Sequence, residues 1–411
     1  MIPGAAAVMP APHAAAGVRS RRWRGLALGA ALAAIATVAV LCLAPAGADA
    51  EPYRDLSDAG SEFLGVGREL ADPDSLATVR IGVTGPALTT SGRELVGAVQ
   101  LAIDEANAGG GYRGIPFELV HRPNDGPWGV VAKQVVRLAA EDEVWVIIGT
   151  LDGERAHAAE LVVAKLWVPV LTPVGDHTVD YANVPWVFRG LPDDLSQVEA
   201  LLALAAERGW HRLVLVSEIW RDAEQAARRV RHRVAAHGID VALHHRYETY
   251  RPEVDLERLA SLEADALVLW GRPDSALPVL RRLRALGVDL PLLLPSLLAV
   301  PEVAACPVLG PALAAAPYDL DGTQPELAAF RQRWVAAHGE EPSYVAPLAY
   351  DMARFALQAL GRTGLNRARL RDELAGGGFQ GLTGPFNFNS LGGRRQLPVA
   401  LAARRGRWQS P

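Results

Sequence analysis

The sequence predicts an α/β protein made of two doubly wound parallel-sheet lobes, and three observations carry that expectation. Short apolar runs alternate with amphipathic stretches from Val79 onward, and the same rhythm restarts after Arg189. A chain of 411 residues also suits two or three domains of ordinary size better than one. Strand–helix alternation means parallel sheets with helices on both faces, because a parallel connection must cross over and a helix is the usual crossover.

Taken in order, residues 1–50 read as a secretory signal peptide. Arg19, Arg21, Arg22 and Arg24 form a basic cluster, an uncharged Ala/Leu/Val run extends from Gly25 to Leu43, and Ala48-Asp49-Ala50 supplies an A-x-A cleavage site before Glu51. That run of 19 residues could also span a bilayer, so an uncleaved anchor is the alternative. Ser20-Arg21-Arg22-Trp23 resembles a twin-arginine signal, although Arg24 and Gly25 replace the apolar residues that normally follow. Leu41 is too bulky before Cys42 for lipoprotein processing. Export to the periplasm is the expectation. Residues 51–78, with Gly65, Gly67 and Pro73 and no sustained period, read as an N-terminal spacer, solvated rather than docked.

Strands are then expected at 79–84, 117–121, 144–149 and 168–171, with helices at 92–108, 129–140 and 153–166 between them. The second series runs as helix 194–208, strand 213–217, helix 222–237, strands 241–247 and 266–270, and helix 275–286. Three helices follow at 325–338, 344–360 and 367–374, and two strand-like runs at 385–388 and 397–402 close the chain.

Composition narrows the function. With 50% hydrophobic and 21% charged residues the chain has the apolar mass for real cores, which excludes disorder. Setting aside residues 1–50 leaves 37 basic and 45 acidic residues, a net charge of −8 and no electrostatic footprint for nucleic acid or an anionic membrane. Cys306 stands alone in the body, so neither an intrachain disulfide nor a multi-cysteine metal site can form there, and it reads as a small core residue. The run Gly109-Gly110-Gly111-Tyr112-Arg113-Gly114 matches G-x-G-x-x-G but follows a helix and precedes a strand, the reverse of a dinucleotide site, so it reads as a helix end and turn. Walker, H-E-x-x-H and G-x-S-x-G patterns are absent. His232 and His237 do not share a helix face well, and His244-His245 point to opposite sides of a strand. No cofactor, metal or catalytic residue is expected. The one enzymatic reading, Asp176-His177 as an acid–base pair, lacks a nucleophile or metal set beside it.

From Val79 to the C-terminus the sequence resembles the type I periplasmic solute-binding proteins of branched-chain amino acid and amide ABC transporters, the group that includes the leucine/isoleucine/valine-binding proteins. The resemblance rests on Ile81-Gly82-Val83-Thr84-Gly85-Pro86, Ala102-Ile103-Asp104-Glu105-Ala106-Asn107-Ala108-Gly109-Gly110, Val146-Ile147-Ile148-Gly149, Val168-Pro169-Val170-Leu171-Thr172-Pro173, Val187-Phe188-Arg189 and Ala349-Tyr350-Asp351. It implies two lobes joined by three crossing strands, residues 79–190 with 318–384 forming one and 191–317 with 385–411 the other. Hinges are implied at Arg189 and Gly190, at Pro317 and at Gly384. It further implies a monomeric, non-enzymatic protein that closes on a small molecule and delivers it to an ABC permease. The alternative on the same fold is a periplasmic sensor or regulatory module not coupled to transport.

The resemblance also locates candidate ligand contacts. In amino-acid-binding relatives, hydroxyl residues after the third and fourth strands hold the ligand carboxylate and an acidic residue of the second lobe holds the ammonium. The aligned positions here are Gly153, Asp176 and Ser296, so the clamp for paired charges is gone. A carboxylate about 4 Å from ionised Asp176 would be repelled by roughly 4 kcal/mol at an effective dielectric near 20, which argues against a simple α-amino acid. Trp128, Trp220 and Trp270 stand at strand ends, either as aromatic walls for an apolar, aromatic or sugar-like ligand or as caps on their own sheets. Asp152 precedes a helix, as N-cap or contact, and Asp125 matches a family aspartate that shapes a loop or touches ligand. Ser91 aligns with a ligand-contacting aromatic, with Thr89 and Thr90 beside it, while Thr150, Glu218 and Arg272 complete the set at strand ends.

Overall fold

β1 (Val79–Thr84), β2 (Phe117–His121), β3 (Val146–Gly149), β4 (Val170–Thr172) and β5 (Val187–Arg189) form a wholly parallel sheet in the order β2-β1-β3-β4-β5. The computed structural model describes residues 67–252, 255–320 and 324–411, so the signal-peptide reading and the first part of the 51–78 segment lie outside the described residues. Helices α1 (Thr90–Ala108), α2 (Gly129–Val136, extended by a π turn over Arg137–Glu141), α3 (Gly153–Leu166) and the short α4 (Thr178–Tyr181) connect these strands. Alternation sorts the side chains: Ile81, Val83, Val146 and Ile148 share a core with Leu95, Val99 and Ile103 of α1, whereas Ile147 and Val170 face Val131, Val135 and Val163 of α2 and α3. Gly82 lies on that second side because a Cβ there would meet Val144 Cγ2 at 3.0 Å.

The second series gives α5 (Asp194–Glu207), β6 (Arg212–Glu218), α6 (Arg221–Arg233), β7 (Asp240–Tyr247), β8 (Ala266–Trp270), α7 (Pro273–Ala285), β9 (Leu292–Leu294), α8 (Pro301–Ala304) and β10 (Ala312–Ala316). The chain then returns to the first lobe with α9 (Pro325–His338), α10 (Val345–Thr363), α11 (Arg367–Gly376) and the hairpin of β11 (Phe379–Gly381) with β12 (Gly384–Phe386). Leu348, Ala349 and Met352 of α10 enter the same core as α1. Finally β13 (Val399–Arg404) and β14 (Arg407–Gln409) complete a seven-stranded sheet ordered β14-β13-β10-β9-β8-β6-β7. That sheet is not wholly parallel, since β13 and β14 add in antiparallel fashion beside β10. Strands β5, β9, β10, β11 and β14 had no counterpart among the expected elements. The sequence Ala-Leu-Ala-Ala-Ala of β10 has little strand preference, and its place between β9 and β13 decides its conformation.

Both sheets run 2-1-3-4-5 in their parallel parts, so each has a crevice at the carboxyl ends of its strands where successive helices leave to opposite faces. The described part of the 51–78 segment is largely exposed yet tethered, rather than a free spacer. Asp72 accepts from Tyr112 Oη at 3.0 Å and Arg369 Nη2 at 2.6 Å, and Asn366 Nδ2 donates to Leu70 O at 3.1 Å, which docks residues 67–72 on α11.

Three crossings join the lobes. At the first, Arg189 is buried and paired bidentately with Asp180 at 2.8 and 2.6 Å, while its backbone N–H donates to Gly392 O and its carbonyl accepts from Arg394 N. At the second, Pro317 O accepts from Gln396 Nε2 at 2.9 Å. The third crossing follows Phe388 rather than falling at Gly384. Asp351 accepts from Leu382 N, Thr383 N and Thr383 Oγ1, pinning the hairpin turn to the first lobe, where Phe379 and Phe386 pack on Phe355. Buried Arg394 ties the third crossing to the first, its backbone N donating to Arg189 O and its Nη1 to Gly190 O at 3.4 Å, while it also donates to Thr383 O and Pro385 O and lies 3.8 Å over the Phe386 ring. Among the described residues no helix is long and apolar enough to cross a membrane.

A buried ion pair is costly to break from one side because the remaining charge loses its partner. The substitution Asp180→Ala is expected to lower stability by about 3 kcal/mol in urea unfolding; a loss of a few tenths would show that the first crossing does not depend on the pair.

Candidate functional site

Where the carboxyl ends of the two sheets face each other lies a cavity of about 40 Å³. Leu151, Pro173, Val174, Gly175 and Asp176 line it from the first sheet, with Tyr344 beside α10. Leu191, Asp194, Gln197, Trp220, Asp222, Trp270 and Ser296 line it from the second. At roughly 10–15 Å³ per water it has room for about three water molecules.

The two sides touch through the chain's own polar groups. Gly153 N, at the start of α3, donates to both carboxylate oxygens of Asp222, at 2.9 and 3.1 Å, from the first turn of α6. Arg221 Nε reaches Asp176 Oδ2 at 3.2 Å, and Arg221 Nη2 donates to Thr178 Oγ1 at 2.9 Å. His177, through its N and Nδ1, meets Asp194 Oδ1 at 2.9 and 2.8 Å. Asp222 thus occupies the N-terminus of α3, where exposed backbone N–H groups favour an anion. Glycine at position 153 makes this possible, since a Cβ there would lie 2.4 Å from Asp176 Oδ2 and 2.8 Å from Asp222 Oδ1.

Charge is unevenly distributed around this contact. Burial opposes ionisation of Asp176, but His157, Thr178 and Arg221 outweigh it and hold the carboxyl well below its usual range. Burial likewise works against charge on His157, yet its hydrogen bonds to the Asp176 and Glu160 carboxylates prevail and push its pKa up to about 9. Asp222 goes the other way: desolvation, then the carboxylates of Asp152 and Asp176, raise it well above the ordinary aspartate value against the pull of the Gly153 N–H.

Asp176, Trp220, Trp270 and Ser296 meet at the cavity, and Gly153 stands behind Asp222. Asp152 is the N-cap of α3, accepting from Arg155 N at 2.8 Å and pairing with Arg155 Nη1 at 2.6 Å. Asp125 braces the β1–α1 loop through Ala87 N at 2.8 Å. Thr89 caps α1, Thr90 accepts from Arg93, and neither these nor Ser91 reach the cavity. Trp128 is 55% exposed at the start of α2 and does not share the wall with the other two tryptophans. Thr150 turns inward to Thr172 Oγ1 at 3.0 Å. Glu218 is buried and committed to Arg272, Thr249 and Ser275, so both it and Arg272 serve the second lobe internally. Asp176 and His177 diverge to different partners instead of forming an acid–base pair.

The profile of the family described as periplasmic binding protein matches residues 78–405. The chain belongs to this family. Among solved structures, the substrate-binding protein LivJ from Streptococcus pneumoniae, in complex with isoleucine, is 21% identical with a TM-score of 0.73, covering 81% of this chain and 98% of its own. A solute-binding protein from R. palustris in complex with benzoate is 20% identical with a TM-score of 0.73, covering 80% and 94%. Another, from Rhodopseudomonas palustris BisB5 with 3,4-dihydroxy benzoic acid, is 15% identical with a TM-score of 0.72, covering 81% and 95%. A comparison with curated proteins gives no significant match.

In this periplasmic binding protein, sequence reasoning missed Asp222, Arg221, Asp194, Gln197 and Tyr344. Asp194 and Asp222 each open a helix directly after the chain leaves a strand or crossing, a pattern that reads equally as helix-dipole pairing. The His157–Asp176 contact sets a pH dependence. A raised histidine pKa contributes stability that is complete below its ordinary value of 6.5 and fades as pH rises through about 9. Thermal denaturation followed from pH 6 to 10 should show this decline in the wild type and a flatter profile in His157→Gln; parallel profiles would contradict the assignment.

Proposed function

We propose that this periplasmic binding protein is exported, captures a small molecule between its lobes and hands it to an ABC permease, without chemical turnover. The observation that carries this reading is the cavity at the carboxyl ends of both sheets, with the lobe contacts gathered around it. Ligand that binds there favours the closed arrangement by mass action, adding about 2.7 kcal/mol of stability at a hundredfold excess over its dissociation constant.

The ligand is not a simple α-amino acid. LivJ is seen with isoleucine, whereas here the aligned positions are Gly153, Asp176 and Ser296. Gly153 N is taken by Asp222, and Asp176 is an ionised carboxylate on the wall. Ser296 N donates to Gln197 Oε1 at 2.9 Å and Ser296 Oγ to Ala315 O at 2.6 Å, so its hydroxyl hydrogen is engaged within the second lobe.

Native mass spectrometry of the purified protein tests the capture reading. A single low-mass ligand per chain, released on denaturation and recovered unchanged, is expected. A protein that remains empty when incubated with a small-molecule extract of its host, or that returns the bound compound chemically altered, would count against it.

A further inference from the structure

The cavity wall is one-sided in charge. Asp176, Asp194 and Asp222 lie on it, and among the described residues no lysine, arginine or histidine side chain does. The cations nearby are turned onto these acids from outside the wall: Arg221 and His157 onto Asp176, and His177 onto Asp194 Oδ1.

The side chains of Gln197 and Ser296 on the wall are already satisfied. Besides the Ser296 bonds described above, Gln197 Nε2 donates to Pro192 O at 2.8 Å. What remains open is acceptor capacity. Asp194 is only 4% exposed and its Oδ2 has no hydrogen-bond partner, while the two oxygens of Asp222 share a single backbone N–H. Burial makes such acceptors costly to leave unpaired, and a guest rich in N–H donors is what relieves them. An anionic guest would instead add a like charge.

The aromatic part of the wall points the same way. Trp220, Trp270 and Tyr344 belong to the wall, and the Arg272 guanidinium already lies 5.2 Å from the centre of the Trp220 ring. Such rings attract cations through their quadrupole. The small volume of the cavity favours a guest of a few heavy atoms.

We propose that the cavity binds a small organic cation, an ammonium, amidinium or guanidinium group on a few heavy atoms, held by Asp194 and Asp222 against Trp220 and Trp270. This deepens the solute-capture reading and rests on it.

The test is calorimetric titration and thermal shift of the purified protein, in buffer containing EDTA. Methylammonium, ethylammonium, acetamidinium and guanidinium chlorides are compared with potassium chloride at equal ionic strength and with urea, acetamide, acetate, benzoate and leucine. Saturable one-to-one binding by at least one organic cation, with no response to the anions, is expected. Asp194→Asn should then lose at least about tenfold in affinity, the usual cost of a hydrogen bond to a charged group. The wild-type panel decides the question should that variant fail to fold. Binding of benzoate, leucine or a neutral amide in place of the cations would overturn the cation assignment and leave solute capture standing. A response only to divalent metal, on omitting EDTA, would overturn it in favour of the ligand atoms of Asp176, His177 and Asp194, which lie within 4.8 Å of one another. An absence of response to every compound, together with no ligand by native mass spectrometry, would overturn both readings.

Discussion

The site turns on where the carboxylate of Asp222 goes. A helix N-terminus carries unpaired N–H groups and a partial positive charge, and an acceptor that reaches it is stabilised. Here the occupant belongs to the opposite lobe, which makes the N–H of Gly153 a joint between the two halves of the protein. Gly153 leaves the space for this, Arg221 beside Asp222 finds Asp176, and the raised pKa of Asp222 reflects burial first and neighbouring acids second.

Much else follows as support for that joint. Parallel sheets with the order 2-1-3-4-5 bring β3, β4, β6, β8 and β9 to the cleft by their carboxyl ends. The crossings fix how the lobes can approach, and their buried groups are paired: Arg189 with Asp180, Asp351 with the hairpin turn, and Arg394 with backbone carbonyls and a phenylalanine ring. Such groups are costly to separate from their partners, which favours a few defined lobe arrangements over a continuum.

The fold was legible in the sequence because most of its strands are buried apolar runs and its helices alternate with them. Val79, Ile81 and Val83 show both features at once, pointing to one core while Gly82 makes room for the other. The alanine-rich β10 was illegible as a strand, since only its neighbours make it one. The third crossing was placed early, at Gly384, because glycine and proline mark turns whether or not the chain changes lobe, and the contact that decides it comes from Asp351 on a distant helix. At the site, Trp220 and Trp270 stand out at strand ends, whereas Asp176 and Ser296 enter only through the family resemblance. Trp128 and Glu218 occupy equivalent positions yet serve other purposes, one exposed and one locked to Arg272. Asp222 was missed because an acid in a first helical turn has a sufficient local reason to be there, and its partner is 69 residues away in sequence.

Amide hydrogen exchange at Gly153, read by NMR in the ligand-free protein, tests this account most directly. Protection of that amide in the wild type and its loss in Asp222→Ala, with the cores of both lobes still protected, is the predicted result. Rapid exchange at Gly153 in both proteins would contradict it.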